Sequence, residues 1–138
     1  MTPREIINIH NALNELSKTV FPYKVARKIA GLSKRVKDEI EVINSQERAI
    51  TNKYNGKYEP GGKISFPDTD TAVEFAREFD AMMDEDVDIR LTPVDVSKYA
   101  DTLQLTPQTI EALEGVIIFE EGDNGRQTDK QSTGGNEC

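Results

Sequence analysis

The chain has 138 residues, 36% hydrophobic and 30% charged, with no tryptophan and a formal net charge of −8. That is enough chain for one compact core, and it lacks both the apolar run of about 18 residues that a membrane span needs and a charged-then-apolar leader. The sequence therefore predicts a cytoplasmic protein with no membrane partner, and its single cysteine, Cys138, excludes an internal disulfide framework.

Charge is unevenly spread. Residues 1 to 57 hold 11 Lys or Arg against 6 Asp or Glu, a net +5, while residues 58 to 138 hold 6 against 19, a net −13. Such a split suits halves that pack together, or copies that meet, as well as it suits a nucleic-acid arm with an acidic tail.

Thr2-Pro3-Arg4-Glu5 reads as a capping box with proline at the first helical position, so a helix starts at once. Ile6, Ile9, Leu13 and Leu16 then recur at helical spacing on one side. Phe21-Pro22 interrupts that helix, because a residue before proline is held out of helical geometry. From Pro22 to about Tyr54 the apolar residues Val25, Ile29, Leu32, Val36, Ile40, Ile43 and Ile50 keep one seam, which predicts a helix roughly 50 Å long. A rod of that length needs a partner, and an antiparallel helical hairpin with coiled-coil-like packing is the simplest arrangement.

Asn55-Gly56 stops the long helix, and residues 57 to 62, with Pro60-Gly61-Gly62, read as a connection. Ile64 and Phe66 alternate with polar neighbours as a short strand. Asp68 or Asp70 caps a helix running to about Met83, with Ala72, Phe75, Ala76, Phe79, Met82 and Met83 inward. Val87, Ile89 and Leu91 alternate as a half-buried strand that resumes at Val94 to Val96, and Ser97 to Leu105 reads as a helical turn. Thr106-Pro107 opens a brief helix, and Val116 to Phe119 is expected to be a central strand. From Gly122 onward no large apolar residue occurs, which predicts a disordered tail over 122 to 138. The expected fold class is α+β: a single domain over 1 to 121, made of a helical hairpin (1 to 56), a connection (57 to 62) and a small sheet with short helices (63 to 121).

The candidate binding surface is the basic face of the long helix. At about 100° per residue, Lys24, Lys28 and Arg35 fall together, Arg27 and Lys34 lie beside them, Lys37 follows, and Gly31 sits in the middle of the face. Such a face takes phosphates or an acidic protein surface, although basic faces are more often simply solvated. Ala26 and Gly31 superficially suggest a helix-turn-helix. They are five apart where that motif needs about four, and the apolar seam crosses Gly31 without a phase change, so a continuous helix is expected. Asp84, Glu85, Asp86 and Asp88 do not make a calcium loop, because the required glycine and glutamate positions are Ile89 and Asp95. His10 has no cysteine or acidic cluster at ligand spacing. No nucleophile elbow, phosphate-cradling glycine loop or metalloprotease motif occurs, so no catalytic residue, cofactor or metal ligand is expected.

Four stretches carry a family resemblance: Asn11-Ala12-Leu13, Pro22-Tyr23-Lys24-Val25-Ala26, Glu47 to Tyr54, and Leu105-Thr106-Pro107-Gln108-Thr109-Ile110-Glu111-Ala112-Leu113-Glu114. Together they resemble a family of small proteins of tailed phages and prophages, mostly from Gram-positive hosts. In that family a helical N-terminal half precedes a valine-rich acidic strand, matched here by Val87-Asp88-Ile89, and a threonine-started helix. The resemblance spans roughly residues 5 to 121 and implies a viral origin with no assigned activity. The resulting expectation is a non-enzymatic phage protein acting through protein contacts, in virion structure, assembly or host interaction. Its partner would be a phage or host protein or a second copy, in the infected bacterial cytoplasm or within the virion. The alternative is a nucleic-acid-associated regulator using the basic face.

Overall fold

The computed structural model describes residues 1–120. Two N-terminal helices, α1 (Pro3–Leu16) and α2 (Tyr23–Lys53), are followed by short strands and helices: β1 (Lys57–Tyr58), β2 (Ile64–Ser65), α3 (Thr69–Met83), β3 (Val94–Asp95), a 3-10 helix (Ser97–Thr102), α4 (Pro107–Leu113) and β4 (Ile117–Ile118). The class is α+β, as the periodicities require. The chain forms two compact units, one from Met1–Asn8 and Val36–Ile89, the other from Ile9–Arg35 with the described residues from Arg90 onward. Their boundaries fall inside α1 and α2 rather than in a loop.

In the first unit the capping box closes as its residues dictate. The Thr2 amide donates to Glu5 Oε1 at 2.7 Å, and the Glu5 amide donates to the Thr2 hydroxyl at 3.2 Å. Val36, Ile43 and Ile50 of α2 are buried in this unit, and α2 stops at Asn55, whose φ of 58° supplies the left-handed residue that ends a helix. The expected connection over 57 to 62 is instead half of a hairpin: β1 pairs antiparallel with β2, Lys57 opposite Ser65 and Tyr58 opposite Ile64. Gly61 and Gly62, at φ of 89° and 87°, make the turn that only glycine takes cheaply. Two residues of strand carry too little alternation to be read beside a proline and two glycines.

Asp68 caps α3 by accepting from the Thr71 amide at 2.8 Å. Phe66, Phe75 and Phe79 line up along that helix with centroid separations of 4.8 and 5.7 Å. Of the inward face expected for α3, Met83 is buried, Ala72, Phe75, Phe79 and Met82 are half-buried, and Ala76 is exposed. The strand expected over Val87 to Leu91 does not form: the chain there has no regular secondary structure. Alternation set the expectation, but a strand needs a neighbour along its length, and among the described residues only Val87 has one, its amide donating to the Met1 carbonyl at 2.9 Å.

In the second unit Ile9, Ala12, Leu13 and Leu16 of α1 are buried, as are Ile29 and Leu32 of α2. Phe21, ahead of Pro22, packs edge-on against Tyr99 with centroids 5.9 Å apart. α2 passes Gly31 without a break, which removes the helix-turn-helix reading. β3 and β4 pair in parallel, Val94 beside Ile117 and Asp95 beside Ile118, so Val116 to Phe119 supplies one of two strands rather than a central one. A parallel pair needs a long crossover, which the 3-10 helix and α4 provide. Thr106 caps α4 by accepting from the Thr109 amide at 3.2 Å, and Val96, Leu113, Val116 and Ile117 fill the space beneath. The tail expected to be disordered, 122 to 138, lies outside the described residues.

Candidate functional site

The second unit contains a groove of about 510 Å³. One wall is two turns of α2, where Lys28, Gly31, Leu32 and Arg35 share a side because helical residues three and four apart are neighbours. The other wall is the chain entering β3, from Arg90 to Val94. Buried Leu32 and Val94 supply its base, with half-buried Leu91 beside them, while Lys28, Arg35 and Arg90 are exposed around it. An alanine methyl at Gly31 would meet no atom within 4 Å, so the helix wall is open at that point.

Arg35 and Arg90 each have interaction partners. A guanidinium carries five donors, so it can hold one partner and still receive a carboxylate or phosphate oxygen. Near the groove, the hydroxyl and amide of Ser97 hold the Asp95 carboxyl below the usual carboxylate range, and Lys98 and Lys28 add to the effect. Lys28 therefore already acts on one carboxylate of this unit.

The structure divides the basic face expected from the sequence. Lys28, Gly31 and Arg35 line the groove. Lys24, Arg27 and Lys34 are exposed on α2 in the same unit but do not line it, and Lys37 belongs to the first unit. Arg90 joins the set, although it lies 55 positions beyond Arg35 and is isolated in the sequence. Only the fold brings it there; the one local hint was its place between Ile89 and Leu91.

Charge also follows the compact units. The first has 7 Lys or Arg against 15 Asp or Glu, a net −8, and the second, as described, has 8 against 6, a net +2. In the first unit the acidic cluster serves local structure: Asp84 receives Arg4 at 3.0 Å, and Asp86 receives the Met1 amine at 2.6 Å. Glu78 accepts from Lys53 Nζ at 2.8 Å and from the Tyr54 hydroxyl at 2.7 Å, and both bonds hold its carboxyl below the usual range. These two bonds tie the end of α2 to Glu78 of α3. His10 is half-buried on α1. Among the described residues no group of three or more His, Cys, Asp or Glu could hold a metal, and no helix is long and apolar enough to cross a membrane. No protein-family model, curated protein or solved structure matches this chain.

Proposed function

We propose that this protein works by binding other proteins rather than by catalysing a reaction, and that the groove of its second unit receives an acidic segment of a partner. The observation that carries this reading is the pairing of an apolar base, Leu32 and Val94, with three surrounding cations, Lys28, Arg35 and Arg90. Apolar side chains give a docking segment its burial, and the cations select its charge and set its orientation. The resemblance of the sequence to tailed-phage proteins suggests the setting, a virion assembly or host-interaction factor of an infected bacterium.

Nucleic-acid regulation is the second reading, supported by the exposed Lys24, Arg27, Lys28, Lys34 and Arg35 on one stretch of α2. The groove suits it less. No aromatic side chain lines it for base stacking, and buried apolar residues at its base have no use for a phosphate backbone.

A binding comparison separates the two. Fluorescence anisotropy with synthetic peptides that alternate leucine and glutamate should show saturable binding, weakened at least tenfold by Lys28→Glu with Arg90→Glu, and weaker binding to basic or scrambled polar peptides. Tight binding of DNA or RNA that falls steeply with salt, with no peptide binding, would overturn the proposal.

A further inference from the structure

We infer that the acidic segment lies in the groove as an added β-strand, hydrogen-bonded to the backbone of Leu91. This rests on the docking reading above and specifies how the partner is held. Leu91 is half-buried, sits in a stretch with no regular secondary structure, and lines the groove just before β3. No backbone hydrogen bond joins Leu91 to any of the described residues.

The direction of its polar groups follows from its neighbours. The amides of Val94 and Val96 donate to Val116 and Ile118, both at 2.9 Å, so this side of β3 faces β4. Thr92 precedes Pro93 and is held to extended geometry by the proline ring, which continues the line of β3 backward. Along an extended chain the N–H and C=O groups of successive residues point to opposite edges. Leu91 and Pro93 therefore share the edge away from β4. Proline, which has no N–H to offer, is tolerated on such an edge. An incoming strand would pair with the Leu91 N–H and C=O, in the manner of strand addition to an open sheet edge.

Backbone chemistry favours a strand over a helix, because a helix spends its N–H and C=O groups on its own turns and has none to give to Leu91. An extended segment places alternate side chains on opposite faces, about 7 Å apart along one face. Apolar residues can then reach Leu32 and Val94 while the intervening carboxylates meet Lys28, Arg35 and Arg90. Charge complementarity selects an acidic partner, because Lys28, Arg35 and Arg90 line the groove and, among the described residues, no acidic one does.

The test uses the full chain and a leucine–glutamate alternating peptide, with single N-methyl groups placed at each peptide position in turn. Strand addition predicts affinity losses of tenfold or more at the alternate positions whose N–H groups face the Leu91 and Pro93 carbonyls, none at the position between them, and slowed hydrogen exchange of the Leu91 amide on peptide binding. Peptide binding that stays sensitive to Lys28→Glu but shows no two-residue periodicity, or leaves the Leu91 amide unprotected, would overturn the strand geometry and leave the docking reading standing. Failure of every acidic peptide to bind would overturn both. Sedimentation of the parent at rising concentration covers the remaining occupant: self-association abolished by Lys28→Glu would assign the groove to a second copy and refute a peptide partner.

Discussion

Replacing Gly56 with alanine tests the packing at the end of α2 with a single methyl group. A β-carbon there would lie 2.7 Å from Thr51 Cγ2, 2.9 Å from Phe66 Cε1 and 3.0 Å from Ile64 Cγ2. Thr51 cannot easily turn aside. It is fully buried, its hydroxyl donates to the Glu47 carbonyl at 2.7 Å and accepts from the Tyr58 hydroxyl at 3.3 Å, and its carbonyl receives the Gly56 amide at 2.8 Å. Forcing a methyl into such a site costs about 1–3 kcal/mol, or about 3–9 °C of melting temperature for a chain of this length. Gly31→Ala is the counterpart. Its methyl meets nothing within 4 Å in the interior of α2, so it should stabilise by about 0.5–1 kcal/mol and raise the melting temperature by about 2–3 °C. Thermal melts followed by circular dichroism give both values, and Thr51→Ser, which removes the closest of the three atoms, should recover part of the Gly56→Ala loss in a double-mutant cycle. A Gly56→Ala protein that melts at or above the parent temperature would refute the packing described here.

Ile29→Asp and Ile43→Asp each put an unpaired charge at a buried position, 5% and 7% exposed, in different compact units; each should lose about 3–5 kcal/mol by urea titration. Asp68→Ala removes the cap of α3 and should cost about 1 kcal/mol in the same titration, whereas Asp68→Asn, which keeps an acceptor, should cost less. The Glu78 carboxyl is held low by Lys53 and Tyr54, so the folded protein binds fewer protons there than the unfolded chain as pH falls. Its contribution is complete above the ordinary carboxylate pKa and is lost on acidification through the lowered value. Glu78→Gln should therefore narrow the stability gap between pH 7 and pH 3, and an unchanged gap would show that the carboxylate contributes nothing. Lys53 and Tyr54 are both raised by the same carboxylate, so their share is present at neutral pH and disappears only as pH rises through their elevated values.

The helices were legible because each is written locally. The capping box at Thr2 and Glu5, the seam from Ile29 to Ile50, the Asp68 cap and the Thr106-Pro107 start all depend on residues within a few positions of one another, and all four elements are present. Strands depend on partners far along the chain. Val87 to Leu91 had the right alternation but, among the described residues, met a backbone partner only at Val87, whose amide donates to the Met1 carbonyl, whereas Lys57–Tyr58 had almost no pattern and found Ile64–Ser65 across a glycine turn. The candidate site divides in the same way. Helical spacing alone put Lys28, Gly31 and Arg35 on one face of α2, so half of the groove could be read from sequence. Arg90, Leu91 and Val94 reach that face only because the parallel pairing of β3 with β4 fixes where the chain runs, and a pairing across 23 residues leaves no local signature. The charge pattern shows the same limit: the sequence halves carry +5 and −13, but the compact units draw residues from both halves and carry −8 and, over the described residues, +2. Periodicity and capping are short-range and survive in sequence, while the meeting of a helix face with a distant strand edge is set by chain closure and burial of the whole core.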